Sequence, residues 1–243
     1  MKIGLITMHN VNNYGAVLQT YALYSQLEIL GHECTIINYI PNVRRGIKVV
    51  FPPSNTPLIK KILSWIKWMP AHITRIKCFK EFQYKYYKNI TQKYFYDTVK
   101  QCPSEFDIYI TGSDQVWNSD STMGLDPNYF LQFVSNQKKI ISYAASLSAI
   151  DYSLNENILM AEYLKKFDAI SIREALMLFE VSKLTTRSVV QTIDPTMLVG
   201  VDFWKSFISQ QKNNIIGKYC LIYILGEDAK TVKYAQKKAD DFS

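Results

Sequence analysis

Short apolar runs, each breaking off into a polar loop, constrain this chain most. Asp107-Ile108-Tyr109-Ile110 ends in Thr111-Gly112-Ser113-Asp114-Gln115-Val116-Trp117-Asn118, and Lys2-Ile3-Gly4-Leu5-Ile6-Thr7-Met8 ends in His9-Asn10-Val11-Asn12-Asn13-Tyr14-Gly15. Runs of four to eight residues rich in Ile, Leu and Val read as strands buried on both faces. Between them lie stretches with helical periodicity: Val17, Leu18, Tyr21, Ala22 and Tyr24 follow the spacing of one helix face. Alternating β and α elements of this kind call for a parallel sheet flanked by helices, a Rossmann-like α/β fold. The expected strands are 2–8, 33–39, 106–111, 139–144, 168–172 and 187–192. The expected helices are 15–30, 155–166, 173–183 and 202–210, with a helical insertion at 55–100. Right-handed crossovers then bring the loops at 9–15, 112–118, 145–149 and 193–198 to one edge of the sheet.

That edge is where open α/β sheets bind ligands. Asn12 or Asn13 is suited to cap the first helix, and Gly31 with His32 to end it. A strand, a polar loop and a helix N-terminus form an anion-receptive site, because free N–H groups and the helix dipole face outward. The segment lacks GxGxxG, which argues against a dinucleotide-dependent dehydrogenase. In the second loop Gly112 is expected to permit a sharp turn. Asp, Gln, Trp and Asn then follow almost side by side. Two readings stand open: a ligand-binding loop, or Asp114 capping the next helix while Trp117 fills the core.

Five segments occur in order: Asn13-Tyr14-Gly15-Ala16-Val17-Leu18-Gln19, Gly112 to Asn118, Ile141-Ser142-Tyr143-Ala144-Ala145-Ser146, Ser171-Ile172-Arg173-Glu174 and Ile193-Asp194-Pro195-Thr196-Met197-Leu198. Together they resemble the successive motifs of the polysaccharide pyruvyl transferase family, over roughly residues 1–225. The resemblance implies two Rossmann-like lobes facing a cleft, as in GT-B glycosyltransferases. It also implies transfer of a pyruvyl group from phosphoenolpyruvate to a sugar of a cell-surface polysaccharide, or of its lipid-linked precursor, as a cyclic ketal. Phosphoenolpyruvate is then a donor substrate and no cofactor is called for. A nucleotide-sugar-dependent transferase of the same fold and a non-catalytic glycan-binding remnant are the alternatives, since fold alone does not fix function.

The chemistry assigns expected roles. Protonating the methylene of phosphoenolpyruvate builds oxocarbenium character, while a base takes the sugar hydroxyl proton and cations hold the phosphate and carboxylate. Asp114 and His9 are the candidate catalytic groups, His9 because it titrates near neutrality. A buried structural histidine is the alternative for His9. Asn12, Asn13, Gly15, Ser113, Gln115, Trp117, Asn118 and Arg173 are the candidate substrate contacts. Trp117 is suited to stacking on a sugar face, and Arg173 to meeting an anion in the forked geometry lysine lacks. A salt bridge at a helix start is the plainer role for Arg173, and a capped turn for Asp194-Pro195.

At 243 residues the chain accommodates one large lobe, 1–210, and the start of a second at 216–243. A strand at 218–225 and a helix at 228–242 are expected there. The family runs longer, so the second lobe is expected to be truncated. Between Asn42 and Lys93 twelve Lys or Arg face one acid, Glu81, giving +11 against +7 for the whole chain, so the remainder is net −4. The insertion at about 42–100 therefore carries the basic character. Its stretch Leu58 to Met69, with Trp65 and Trp68, suits either peripheral contact with an anionic membrane on the cytoplasmic side or an insertion helix packed on its own domain with its lysines facing water. No nucleic-acid module accompanies the charge. Four dispersed cysteines read as reduced packing thiols and three scattered histidines as no metal site.

Overall fold

The computed structural model describes residues 1–42, 58–103, 105–148, 151–209, 217, 219–222 and 228–241, with the backbone alone at 58–68, 72 and 241. Two compact units divide the chain, 1–200 and 201–243.

In the first unit the strands β1 (Lys2–Ile6), β2 (Glu33–Ile36), β5 (Ile108–Thr111) and β6 (Lys139–Ser142) form a parallel sheet in the order β2-β1-β5-β6. A second parallel pair, β7 (Ile170–Ile172) and β8 (Val189–Gln191), lies alongside β6. The bridges Ile141↔Ala169 and Ala145↔Ile172 connect the two. The chain runs from β1 to β2 on one side and then returns past β1 to β5 on the other. Between β1 and β5 lies the switch point, where such sheets open a crevice at the carboxyl ends of their strands.

Alternation along the strands builds two cores. Ile3 and Leu5 of β1 pack with Ile110, Leu23, Tyr24, Leu27 and Tyr87, while Ile6 joins Tyr109, Ile140, Trp117, Phe130 and Phe167. Both faces are thus apolar, as a parallel sheet covered on both sides requires. Helix α1 (Tyr14–Ile29) covers one face, capped by Asn13, whose Oδ1 accepts from the Ala16 amide at 3.1 Å. At its end Gly31 is left-handed (φ 82°), which suits a residue lacking Cβ. Helix α4 (Leu154–Leu164) covers the other core with Met160 and Leu164. It opens on a capping box in which Ser153 and Glu156 satisfy each other's amides.

The insertion forms helix α2 (Leu58–Tyr86), ending well before the expected residue 100. Beyond it the chain extends, bridging Ile90 to Ile36 and pairing β4 (Tyr94–Phe95) with β3 (Tyr39–Ile40). The C-terminal half of α2 holds the first site loop: Arg75 Nη2 donates to the Asn12 carbonyl at 2.5 Å and Gln83 Nε2 to that of His9 at 3.1 Å. Just past the helix, the Tyr87 hydroxyl donates to the Val17 carbonyl of α1 at 3.2 Å. Residues 43–57 and the Trp65 and Trp68 side chains, central to the expected membrane face, lie outside what is described.

Three four- to six-residue helices complete the first unit: α3 (Ser119–Thr122), α5 (Leu178–Lys183) and α6 (Pro195–Leu198). Helix α7 (Gly200–Ser209) begins at the unit boundary and carries the packed aromatics Phe203, Trp204 and Phe207. In the second unit α8 (Ala229–Asp241) is described, while the expected strand at 218–225 falls mostly outside the described residues. Among the described residues no helix is long and apolar enough to cross a membrane.

Candidate active site

The first turn of α1 supplies one wall. Gln19, one turn after Gly15, is 2% exposed, and its Nε2 donates to Thr7 Oγ1 (3.1 Å), Ala16 O (3.0 Å) and Thr20 Oγ1 (3.0 Å). Both hydroxyls spend their protons elsewhere, Thr7 on Ser113 O at 2.6 Å and Thr20 on Ala16 O at 2.8 Å. They therefore meet Gln19 as acceptors, which fixes the amide with its NH2 end inward. Gln19 Oε1 is left with no hydrogen-bond partner among the described residues. A buried oxygen in that condition costs free energy until a donor reaches it.

The loop after β5 supplies the second wall, by a means other than the one expected. Gly112 is not the left-handed residue; it is glycine because a Cβ would sit 3.1 Å from Leu23, 3.2 Å from Leu5 and 3.2 Å from Thr7. The turn falls instead on Asp114, with φ 82°. Asp is among the few side chains that tolerate this region, and such residues collect at functional sites. The Asp114 carbonyl accepts from Val116 (2.7 Å) and Ser146 (3.0 Å), and its Oδ1 from the Gln115 amide (2.8 Å). The loop is thereby tied to the strand end beside it.

Arg173 stands at the end of β7 among carboxylates. Its Nη1 donates to Asp194 Oδ2 at 3.1 Å, its Nε to Glu174 Oε1 at 3.3 Å and its Nη2 to Ser146 Oγ at 2.9 Å. Glu174 also accepts from the Ser146 hydroxyl (2.5 Å) and the Leu147 amide (3.2 Å). Asp194 both caps α6 and joins this network. Its Oδ1 accepts from the Thr196 amide (2.9 Å) and hydroxyl (2.7 Å), while Oδ2 faces Arg173 and Ser113 Oγ (3.4 Å). Burial, with the Asp194 charge adding to it, pushes the pKa of nearby Tyr143 up and keeps it a neutral phenol.

These elements enclose a cavity of about 220 Å³ at the carboxyl edge, lined by Asn13, Gly15, Gln19, Asp114, Arg173 and the Asp194–Thr196 turn. Of the expected residues, Asn13, Gly15, Asp114 and Arg173 line it, and Ser113 lies behind, fully buried, bonded to Arg173 (3.5 Å) and Asp194. Others are elsewhere. Trp117 has no exposed surface; it stacks on Phe130 (centroids 4.9 Å, 5° between planes), meets Phe167 edge-on and donates from Nε1 to Tyr129 O at 3.3 Å. The expectation of a sugar-stacking face is corrected here: the indole is core.

His9 is 1% exposed, with Nδ1 3.1 Å from Thr7 O and Nε2 3.1 Å from Asn38 Oδ1, and it does not line the cavity. Its geometry is that of the structural histidine and does not support the catalytic reading. Gln115 and Asn118 bond to each other (3.0 Å), and Asn118 caps α3. Asn12 presents its carbonyl to Arg75. Gln19 and Thr196 were absent from the expected set. The one signal for Gln19 is its spacing of four from Gly15, which puts both on one helix face.

Among the described residues no group of three His, Cys, Asp or Glu side chains is placed to hold a metal. All four cysteines are free thiols; Cys34 is buried, Cys78 and Cys220 are exposed, and burial pushes Cys102 up to about 12.

A parallel sheet flanked by helices, with a polar cavity at its switch point, defines a Rossmann-like lobe. The particular family follows from sequence comparison: a family model described as polysaccharide pyruvyl transferase matches residues 13–239. The chain belongs to that family, which makes it a transferase of polysaccharide biosynthesis. No curated protein matches it, and no solved structure does.

Proposed function

We propose that this protein transfers a pyruvyl group from phosphoenolpyruvate to two hydroxyls of one sugar, in a cell-surface polysaccharide or its lipid-linked precursor. A proton adds to the methylene carbon of the donor and a sugar hydroxyl attacks the adjacent carbon, giving up its own proton. A second hydroxyl then displaces phosphate and closes the ketal. The observation carrying this reading is the cavity itself, lined together by Gln19, whose buried Oε1 has no hydrogen-bond partner among the described residues, and by the acceptor side chain of Asp114. Acceptors so placed suit a ligand that brings hydroxyl donors.

Asp114 is the base for the attacking hydroxyl, held in position by the loop bonds described above. Arg173 spends most of its five donors on Asp194, Glu174, Ser113 and Ser146 and turns a remaining Nη2 proton toward an anionic donor substrate. Residues 42–93, with their +11 charge, bring the protein to the inner face of the cell membrane, where lipid-linked acceptors reside. The test is incubation with phosphoenolpyruvate and lipid-linked oligosaccharides. Acceptor-dependent phosphate release with a new ketal methyl signal supports the proposal; nucleotide release from a nucleotide sugar instead refutes it.

A further inference from the structure

The sheet has a second polar cavity at its opposite edge, and the proposed reaction makes no use of it. It lies where the chain enters β6, β7 and β8, that is, at the amino ends of these strands. Lys138 immediately precedes β6, Asp168 comes two residues before β7 and Arg187 two before β8. Its volume is about 430 Å³, within the range of small-molecule sites.

Charge in this cavity is unbalanced. Four cations, Lys138, Lys165, Lys166 and Arg187, line it against two carboxylates, Glu162 and Asp168. Glu162 is paired with Lys165. Asp168 accepts from the Ile140 amide at 2.9 Å, which uses part of its capacity. Lys138 and Arg187 have no side-chain ion pair or hydrogen bond among the described residues. Lys166 is half-buried and pinned, its Nζ donating to the carbonyls of Gln132 (3.0 Å) and Val134. Burial lowers its pKa, so an anion alongside would relieve a strained charge. A fixed ammonium flanked by two uncommitted cations is a preorganised anion site.

The lining also limits what the anion is attached to. Ile140 is its one aliphatic member and no aromatic side chain contributes, so neither an acyl chain nor a stacked base finds a partner. Gln132 and Asn136 add amide groups suited to hydroxyls. We propose that this cavity binds a compact phosphate dianion, free or carried on a small polyol, separately from the cavity at the carboxyl edge.

The experiment is a titration by calorimetry and ³¹P NMR with orthophosphate and with glycerol 1-phosphate, against chloride at matched ionic strength. The Lys138→Gln/Arg187→Gln double variant is compared with the unaltered protein and with Arg173→Lys. The expected result is phosphate-specific binding, weakened about tenfold or more in the double variant and unchanged in Arg173→Lys, with thermal stability in the absence of phosphate and turnover preserved in the double variant. Tighter binding of glycerol 1-phosphate than of orthophosphate assigns the amides to hydroxyl contacts, and equal binding assigns the site to free phosphate. Binding that survives in the double variant but falls in Arg173→Lys overturns the proposal, because phosphate is then at the carboxyl-edge cavity. A response no larger than that to chloride overturns it equally. Neither result bears on pyruvyl transfer, which is read from the ketal product.

Discussion

Replacing Trp117 with Phe separates a core residue from a substrate platform more cleanly than truncation to Ala, because Phe still offers an aromatic face. In the structure the indole contributes a stacked contact with Phe130, an edge contact with Phe167 and a hydrogen bond from Nε1 to Tyr129 O. Phe loses that bond and leaves the volume of the second ring empty at a site with no exposed surface. Loss of a whole buried Trp side chain costs about 3–5 kcal/mol, and the smaller change with its lost hydrogen bond about 2–3 kcal/mol. In a unit of this size each kcal/mol moves the melting temperature by about 2–4 °C, so a drop of about 4–12 °C is expected. Calorimetric melting gives that number, and acceptor saturation kinetics give the other half of the test. The expected KM for acceptor is unchanged. An unchanged melting temperature with a raised acceptor KM would refute the core assignment and restore Trp117 to the sugar site.

Gly112→Ala brings a methyl to within 3.1–3.2 Å of Leu23, Leu5 and Thr7, and a cost of about 1–3 kcal/mol should appear as a lower urea midpoint. Arg173→Lys keeps the charge but cannot span Asp194, Glu174 and Ser146 together. Apparent affinity for phosphoenolpyruvate should fall while the fold survives, and donor saturation unaltered even in Arg173→Ala would make the residue purely structural. Sedimentation with anionic vesicles should exceed that with neutral ones at low salt and fade as the Debye length shrinks from about 10 Å at 0.1 M to about 3 Å at 1 M; equal failure with both vesicle types would remove the membrane role of 42–93.

Elements with strong periodicity were legible. The runs around Ile3–Ile6, Ile108–Ile110 and Ile140–Ile141 became central strands, and the helix expected at 15–30 is Tyr14–Ile29. The pairing of Tyr39–Ile40 with Tyr94–Phe95 was not legible, because two-residue strands leave no pattern and the contact joins distant segments. Helices α3 and α6 escaped for a related reason: each is one turn long and is set by the caps Asn118 and Asp194 more than by periodicity.

Three of the expected loops, 9–15, 112–118 and 193–198, line the carboxyl-edge cavity, but which of their side chains reach it was not legible. In Ser113 to Asn118, Asp114 takes the left-handed turn and reaches the cavity, while Trp117, three residues on, is driven into the core by its apolar area. Only packing partners from 129–167 decide that. The doubling of Asp194 as cap and ion-pair partner likewise depends on Arg173, brought near by the parallel pairing of β7 and β8.

The most direct test of the central claim, that the carboxyl-edge cavity is where pyruvyl transfer occurs, is turnover by Asp114→Asn. Asn tolerates the left-handed backbone as Asp does, and its side-chain oxygen can still accept from the Gln115 amide, so the loop should keep its shape. Only the proton-accepting carboxylate is lost. Acceptor-dependent phosphate release from phosphoenolpyruvate should fall by about 10²–10⁴, with the melting temperature unchanged. A variant that turns over normally, or one that is inactive because it fails to fold, would contradict the account.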